Sequence, residues 1–273
     1  MGSNRKVACM MNSFRTAAAY LTHRMHCANS QGHGVHSPFL FEFITQVLPD
    51  AALSVDFEKP EQYRKDLLSD ETVFSRTDFG SGREKPQQQT SVRSLARRAL
   101  QSPRGARLLY RMIKHYRPGP MLELGTCFGV TTEYLAVADP HQPVYTLEGD
   151  PLLVHKASER FRDDGFTNIQ SIVGDFEETL PDLLQKINSI GFAWVDGNHR
   201  QAPTLRYFEQ LLAHATAETI LVFDDIYWSK EMEAAWQLIR CHPRVGATID
   251  LFRFGIVFLR TEFREPVHLR LHY

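Results

Sequence analysis

The stretch from Met121 to Leu135 constrains this chain more than any other. A short apolar run, Met121-Leu-Glu-Leu124, leads into Gly125 and Gly129, and a helical pattern follows at once. The next apolar run, Val144 to Leu147, ends on an acid, Glu148. A strand, a glycine turn, a helix and an acid closing the second strand mark the nucleoside-binding end of a doubly wound α/β sheet. There the glycines let a ligand approach the backbone and the acid accepts hydrogen bonds from ribose hydroxyls. The spacing is Gly125-x-x-x-Gly129, without the third glycine that seats a helix beneath a pyrophosphate. Glu123 lies beside the turn and would meet a phosphate with like charge. A nucleoside ligand without phosphates, such as S-adenosylmethionine, fits this pattern better than a dinucleotide.

The rest of the chain extends that frame. After about residue 118, strands near 120–125, 143–148, 168–173, 191–196 and 219–224 alternate with helices, which implies parallel strands joined by right-handed crossovers. Runs 248–252 and 255–259 are separated by two residues, so they form a hairpin. The expectation is a Rossmann-like, doubly wound, seven-stranded sheet. Five strands are parallel and a C-terminal antiparallel hairpin pair completes it. An N-terminal helical extension or lid (1–104) precedes the sheet domain (105–273). In that extension Ser37-Pro38 starts a helix, Ser as N-cap and Pro at the first position. The 78–82 segment reads as part of a long connection.

Ligands of such sheets sit at the carboxyl ends of the strands. The first strand offers Glu123, Gly125, Thr126 and Gly129, the second Glu148. The third offers Gly174, Asp175 and Phe176, placed for an adenine ring, with Asp175 equally suited to cap the next helix. The fourth and fifth end in Asp196-Gly-Asn-His199 and Asp224-Asp225. Three carboxylates at neighbouring strand ends repel unless paired. A hard cation such as Mg²⁺ held by Asp196, Asp224 and Asp225 would relieve this and could lower the pKa of a substrate hydroxyl. Alternatively, these acids cap a helix and contact the cofactor amine. His199 is a candidate general base, with Asp196 beside it and Asn198 and Arg200 as orienting groups. Trp228 is either an aromatic wall or a core residue. His33, His36 and Ser37 are weaker candidates on a loop.

Bulk properties narrow the classes. A net charge of −1 argues against a general polyanion binder. Yet no acid interrupts the segment from Lys85 to Leu122, which carries Arg93, Arg97, Arg98, Arg104, Arg107, Arg111, Lys114 and Arg117. Either these are solvated helix faces or they form an anion-facing patch for an acidic substrate or RNA. Cys9, Cys27, Cys127 and Cys241 show no metal or disulfide spacing. No apolar run reaches the roughly 20 residues that span a bilayer, and the expected location is cytoplasmic, without a membrane partner. A homodimer built through the N-terminal helices is compatible with the pattern.

From about 105 to 260 the chain resembles class I S-adenosylmethionine-dependent methyltransferases, and within them the catechol O-methyltransferase-like and methyltransferase 24 group. The resemblance rests on Glu-Leu-Gly-Thr at 123–126, Leu-Glu-Gly at 147–149, Phe-Ala-Trp-Val-Asp-Gly-Asn-His at 192–199 and Val-Phe-Asp-Asp-Ile-Tyr-Trp-Ser at 222–229. It implies methyl transfer from S-adenosylmethionine to a hydroxyl of a small molecule. In the catechol enzymes the metal is held by Asp, Asp and Asn, and the base is a Lys three residues after the first Asp. Here Asp225 and His199 stand at those positions. Residues 1–104 resemble an N-terminal extension of uncharacterised bacterial, Bacteroidetes-type relatives and carry over no activity. A nucleic-acid methyltransferase and a non-catalytic nucleoside-binding protein are the alternatives.

Overall fold

The computed structural model describes residues 17, 19–27, 35–50, 54–76 and 88–273. His33 and the 78–82 segment lie outside these. The central strand, β3 (Met121–Leu124), has all four side chains buried. That suits an apolar run covered on both faces. It pairs in parallel with β4 (Val144–Glu148) on one side and with β6 (Ile190–Val195) on the other. β5 (Ile169–Val173) extends the first side and β7 (Ala215–Phe223) the second, both parallel. The chain therefore runs outward from β3 to β5, then returns to the opposite side at β6. The crevice between β3 and β6 is the topological switch point, where ligands bind in such sheets.

Beyond β7 come β9 (Gly255–Phe258), then β8 (Ala247–Asp250) and β10 (Val267–Arg270). β9 is antiparallel to both β7 and β8. The hairpin expected from the two-residue gap is present, but only β9 runs against the sheet. Helix α10 (Lys230–Arg240) crosses over and leaves a gap that β9 fills. The sheet has eight strands rather than seven, because β10 adds in parallel to the edge. A second, two-stranded sheet joins β1 (Val73–Arg76) to β2 (Gln88–Ser91). The Gln-Gln-Thr-Ser sequence of β2 has no apolar alternation, so nothing in it marked a strand.

Helices α6 (Val130–Ala138), α7 (Pro151–Asp163), α8 (Phe176–Leu184) and α9 (Gln201–Ala213) are the crossovers. Asp150 and Asp175 cap α7 and α8 by accepting from Leu152 and Glu177 N–H groups, each cap contributing about 1 kcal/mol.

The N-terminal elements comprise α1 (19–25), α2 (Pro38–Glu42, continued by a π-turn to Val47), α3 (Glu58–Ser69), α4 (Val92–Ala99) and α5 (Pro103–Tyr116). Ser37 caps α2 as its Ser-Pro start implies, accepting from Leu40 N–H at 3.3 Å. Phe39, Leu40, Phe43, Ile44 and Val47 are buried in the same apolar cluster as Ile220, Ile256 and Phe258 of the sheet. Side chains of this size stabilise by roughly 1.5–3 kcal/mol each on full burial. Helices α2, α3 and α4 therefore share the core of the sheet.

Candidate functional site

The turn after β3 is built by contact between strand ends. Asp196 N–H donates to the Leu124 carbonyl at 2.9 Å. Gly125 has φ +108, and a Cβ there would stand 2.1 Å from the Asp196 carbonyl oxygen. Its missing side chain is thus required by the β3–β6 crossing itself. Gly129, which begins α6, would place a Cβ 2.4 Å from the Phe161 ring, so it seats α6 against α7.

Around this crossing lies a cleft of about 1030 Å³, large enough for a nucleoside cofactor and a small second substrate. Gly125, Glu148, Gly174, Asp175, Phe176, Asp196, His199, Asp224 and Asp225 line it, as do Asn198, Arg200 and Trp228. Glu123, Thr126 and Gly129 stand behind its wall. His36 and Ser37 are not among its residues.

At one end of the cleft, Glu148 Oε2 accepts from Cys127 N–H at 2.9 Å and Oε1 from Asp150 N–H at 3.0 Å. Each oxygen keeps a lone pair, so the carboxylate is oriented and still able to accept. Burial raises its pKa against those two bonds. The Cys127 thiol is also pushed up, by burial first and by Glu148 next. Phe176 lies across Gly197, where a Cβ would meet its ring at 2.6 Å, and packs edge-on against Tyr207.

Glu123 is wholly buried. Thr132 and Thr146 hydroxyls donate to its Oε2 at 2.5 and 2.6 Å, and Oε1 has no partner. Burial lifts its pKa to about 8 against those hydroxyls, with Asp196 and Glu148 adding to the rise. It therefore sits in the wall as a neutral acid at neutral pH.

The other end carries the three aspartates. His199 Nε2 lies 3.5 Å from Asp196 Oδ1. Burial depresses the imidazolium, but the Asp196 bond and the charges of Asp196, Asp225 and Asp224 outweigh it and raise the pKa to about 9. Asp224 is 2% exposed. Its Oδ2 accepts from Gln101 Nε2 at 3.2 Å, and its Oδ1 stands 3.4 Å from Arg253 Nε. Arg253 Nε is also 3.7 Å from Asp225 Oδ1. Burial, then Asp196 and Asp225, pushes the Asp224 pKa well above the ordinary range.

Mg²⁺ asks for about six oxygens at roughly 2.1 Å. The aspartates as arranged do not fit it, because a guanidinium faces both Asp224 and Asp225 where the ion would stand. Among the described residues no three His, Cys, Asp or Glu side chains stand grouped to hold a metal ion.

Backbone strain is concentrated here. Cys127, Asn198 and Asp225 have φ of 49°, 53° and 51°, and all three line the cleft. Non-glycine residues at positive φ persist where the surroundings force them, often at functional sites.

Three contributors were not foreseen, Arg76, Gln101 and Arg253, and Arg98 was named only as part of the basic segment. Arg76 and Arg98 line the cleft from the N-terminal elements. Arg253 sits on the β8–β9 turn, which sequence spacing marked only as a hairpin. The Lys85–Leu122 basic segment is largely occupied. Arg107 and Arg111 pair with Asp50, Arg93 pairs with Glu71, and Arg104 lies over the Tyr273 ring.

Comparison with known proteins agrees with this geometry. Residues 122–226 match the family model described as a methyltransferase domain, methyltransferase 24. An O-methyltransferase from Bacillus cereus, solved with SAH, is similar over 86% of this chain and 99% of its own at 15% identity, TM-score 0.55. The O-methyltransferase TomG from Streptomyces achromogenes, involved in tomaymycin synthesis and solved with SAM, is similar over 59% and 82% at 17% identity, TM-score 0.51. A tRNA (guanine-N(7)-)-methyltransferase from Mycoplasma mobile is 32% identical over 76 residues, which is 28% of this chain and 38% of that protein. The match thus spans well under half of that curated relative. Residues 122–226 thus match a methyltransferase-domain model, and the chain shares the fold of these O-methyltransferases.

Proposed function

We propose that the chain transfers the methyl group of S-adenosylmethionine to a hydroxyl of a small molecule. The observation that carries this reading is the pairing of two features in one cleft. An oriented carboxylate with free lone pairs, Glu148, stands at one end, and the His199–Asp196 pair stands at the other. When bound, the cofactor supplies an electrophilic methyl on a sulfonium. Glu148 would accept from the ribose hydroxyls, and Phe176 and Asp175 would contact the adenine. Asp196 orients the His199 ring through Nε2. The other ring nitrogen then takes the hydroxyl proton as the oxygen forms its bond to the methyl carbon and the carbon–sulfur bond breaks. Residues 88–101 close the cleft over the acceptor, supported by Arg98 in its wall and by the Gln101–Asp224 bond.

Calorimetric titration of the full chain with S-adenosylmethionine tests the reading, with NAD as control. One-to-one binding of the first alone is expected, weakened at least about tenfold by Glu148→Ala. Absence of binding would overturn the proposal. An RNA acceptor is the second reading, favoured by the Mycoplasma mobile match. It requires turnover on RNA that falls steeply with salt.

A further inference from the structure

We infer that Arg253 serves as the built-in cation of the aspartate centre, occupying the position between Asp224 and Asp225 that a divalent metal would need. Its Nε stands 3.4 Å from Asp224 Oδ1 and 3.7 Å from Asp225 Oδ1. The side chain is about half exposed, but its backbone is anchored. Its N–H donates to the Leu251 carbonyl at 2.9 Å, and its own carbonyl accepts from Ile226 N–H at 3.3 Å. The second bond ties the β8–β9 turn to the residue directly after Asp225, so the backbone that carries the guanidinium is held beside the carboxylates. Phe252, just before it, takes φ +69 to make the turn.

The far side of Asp224 is closed as well. Gln101 donates to Oδ2, and Gln101 itself is 2% exposed and locked through Oε1 by Ser102 N–H at 2.8 Å. A metal bridging Asp224 and Asp225 here would have to displace the guanidinium that faces them both. A guanidinium carries its charge at every accessible pH and presents a planar fork suited to two carboxylates. It therefore relieves the repulsion among these acids without a bound ion. On the methyl-transfer reading proposed above, deprotonation then falls to the His199–Asp196 pair alone.

Mn²⁺ alone, followed by electron paramagnetic resonance on the full chain without cofactor or acceptor, tests the inference. A failure of the methyl-transfer reading leaves this measurement untouched. The wild type should bind no stoichiometric Mn²⁺. Arg253→Met, which keeps length and removes charge, should gain one site at least tenfold tighter than any in the wild type, and Asp224→Asn added to it should remove that site. Arg253→Lys, which keeps a positive charge, should remain without one. Stoichiometric Mn²⁺ in the wild type that disappears in Asp224→Asn would overturn the inference, whether or not the Arg253 variants fold. So would a folded Arg253→Met that gains nothing.

Discussion

His199 and Glu123 are two titratable residues whose surroundings push them in the same direction with different consequences. The His199 pKa of about 9 means that, below that pH, the candidate base is mostly protonated. Turnover at limiting substrate should rise about tenfold per pH unit from pH 7 and level off above about 9. His199→Gln should abolish that slope and lower kcat/KM at least a hundredfold, roughly the worth of a positioned base. A pH–rate profile of both proteins reads this directly, and a flat wild-type profile would remove His199 from the role. Glu123 acts on stability. Its folded pKa, about 8, exceeds that of an unfolded glutamate, so the folded state holds the proton more tightly. The stability from this group is full at low pH and lost as pH rises through about 8. Glu123→Gln should therefore be close to wild type in urea unfolding near pH 5 and more stable than wild type at pH 9.

At the scale of elements, the strand ends matter more than the strands. Gly125→Ala would drive a Cβ into the Asp196 carbonyl at a φ that alanine resists. A loss of about 3 kcal/mol or more in urea unfolding is expected, together with weaker cofactor binding. Elements of this kind were largely legible in sequence. The strand order around β3, the caps at Ser37 and Asp175 and the gathering of Glu148, Asp196, His199, Asp224 and Asp225 all follow from period, turn chemistry and the switch-point rule. What sequence did not disclose has a physical pattern. β10 and β2 are four-residue edge strands, β10 too short for its alternation to stand out and β2 too polar to show one. Gly125 reads as a ligand-facing glycine and does line the cleft, and its φ also serves the close approach of Asp196 at the end of β6, which sequence does not show. Arg253 was invisible because a β-turn arginine has no local signature, and only the three-dimensional approach of the turn to Asp224 gives it meaning.

For the whole molecule, the N-terminal helices are joined to the far edge of the sheet by a buried polar contact. His23 Nε2 is 3.0 Å from Asp250 Oδ1, and Tyr227 donates its hydroxyl to Oδ2 at 2.7 Å. Burial opposes ionisation of Asp250, but the His23 and Tyr227 bonds and the Phe252 N–H prevail and hold its pKa below the ordinary range. This contribution is present above the usual carboxylate range and is lost as pH falls through the lowered value. Asp250→Ala should cost about 3 kcal/mol or more at neutral pH, since it strands buried partners. His23→Ala should release α1, read as faster proteolysis within 19–27 and little change elsewhere. Equal protease resistance in that variant would mean that α1 is held by its apolar contacts alone. Among the described residues no helix is long and apolar enough to cross a membrane.

The Gln101–Asp224 bond has a practical corollary. A shortened chain starting near residue 118 would retain every strand of the recognised domain and look complete on a family diagram. It would also leave Asp224 with one partner fewer and expose the apolar sheet face now covered by α2 and α5. The smallest piece that can be produced intact is therefore larger than the segment that comparison identifies, and its limits are set by a side-chain amide more than twenty residues upstream of that segment.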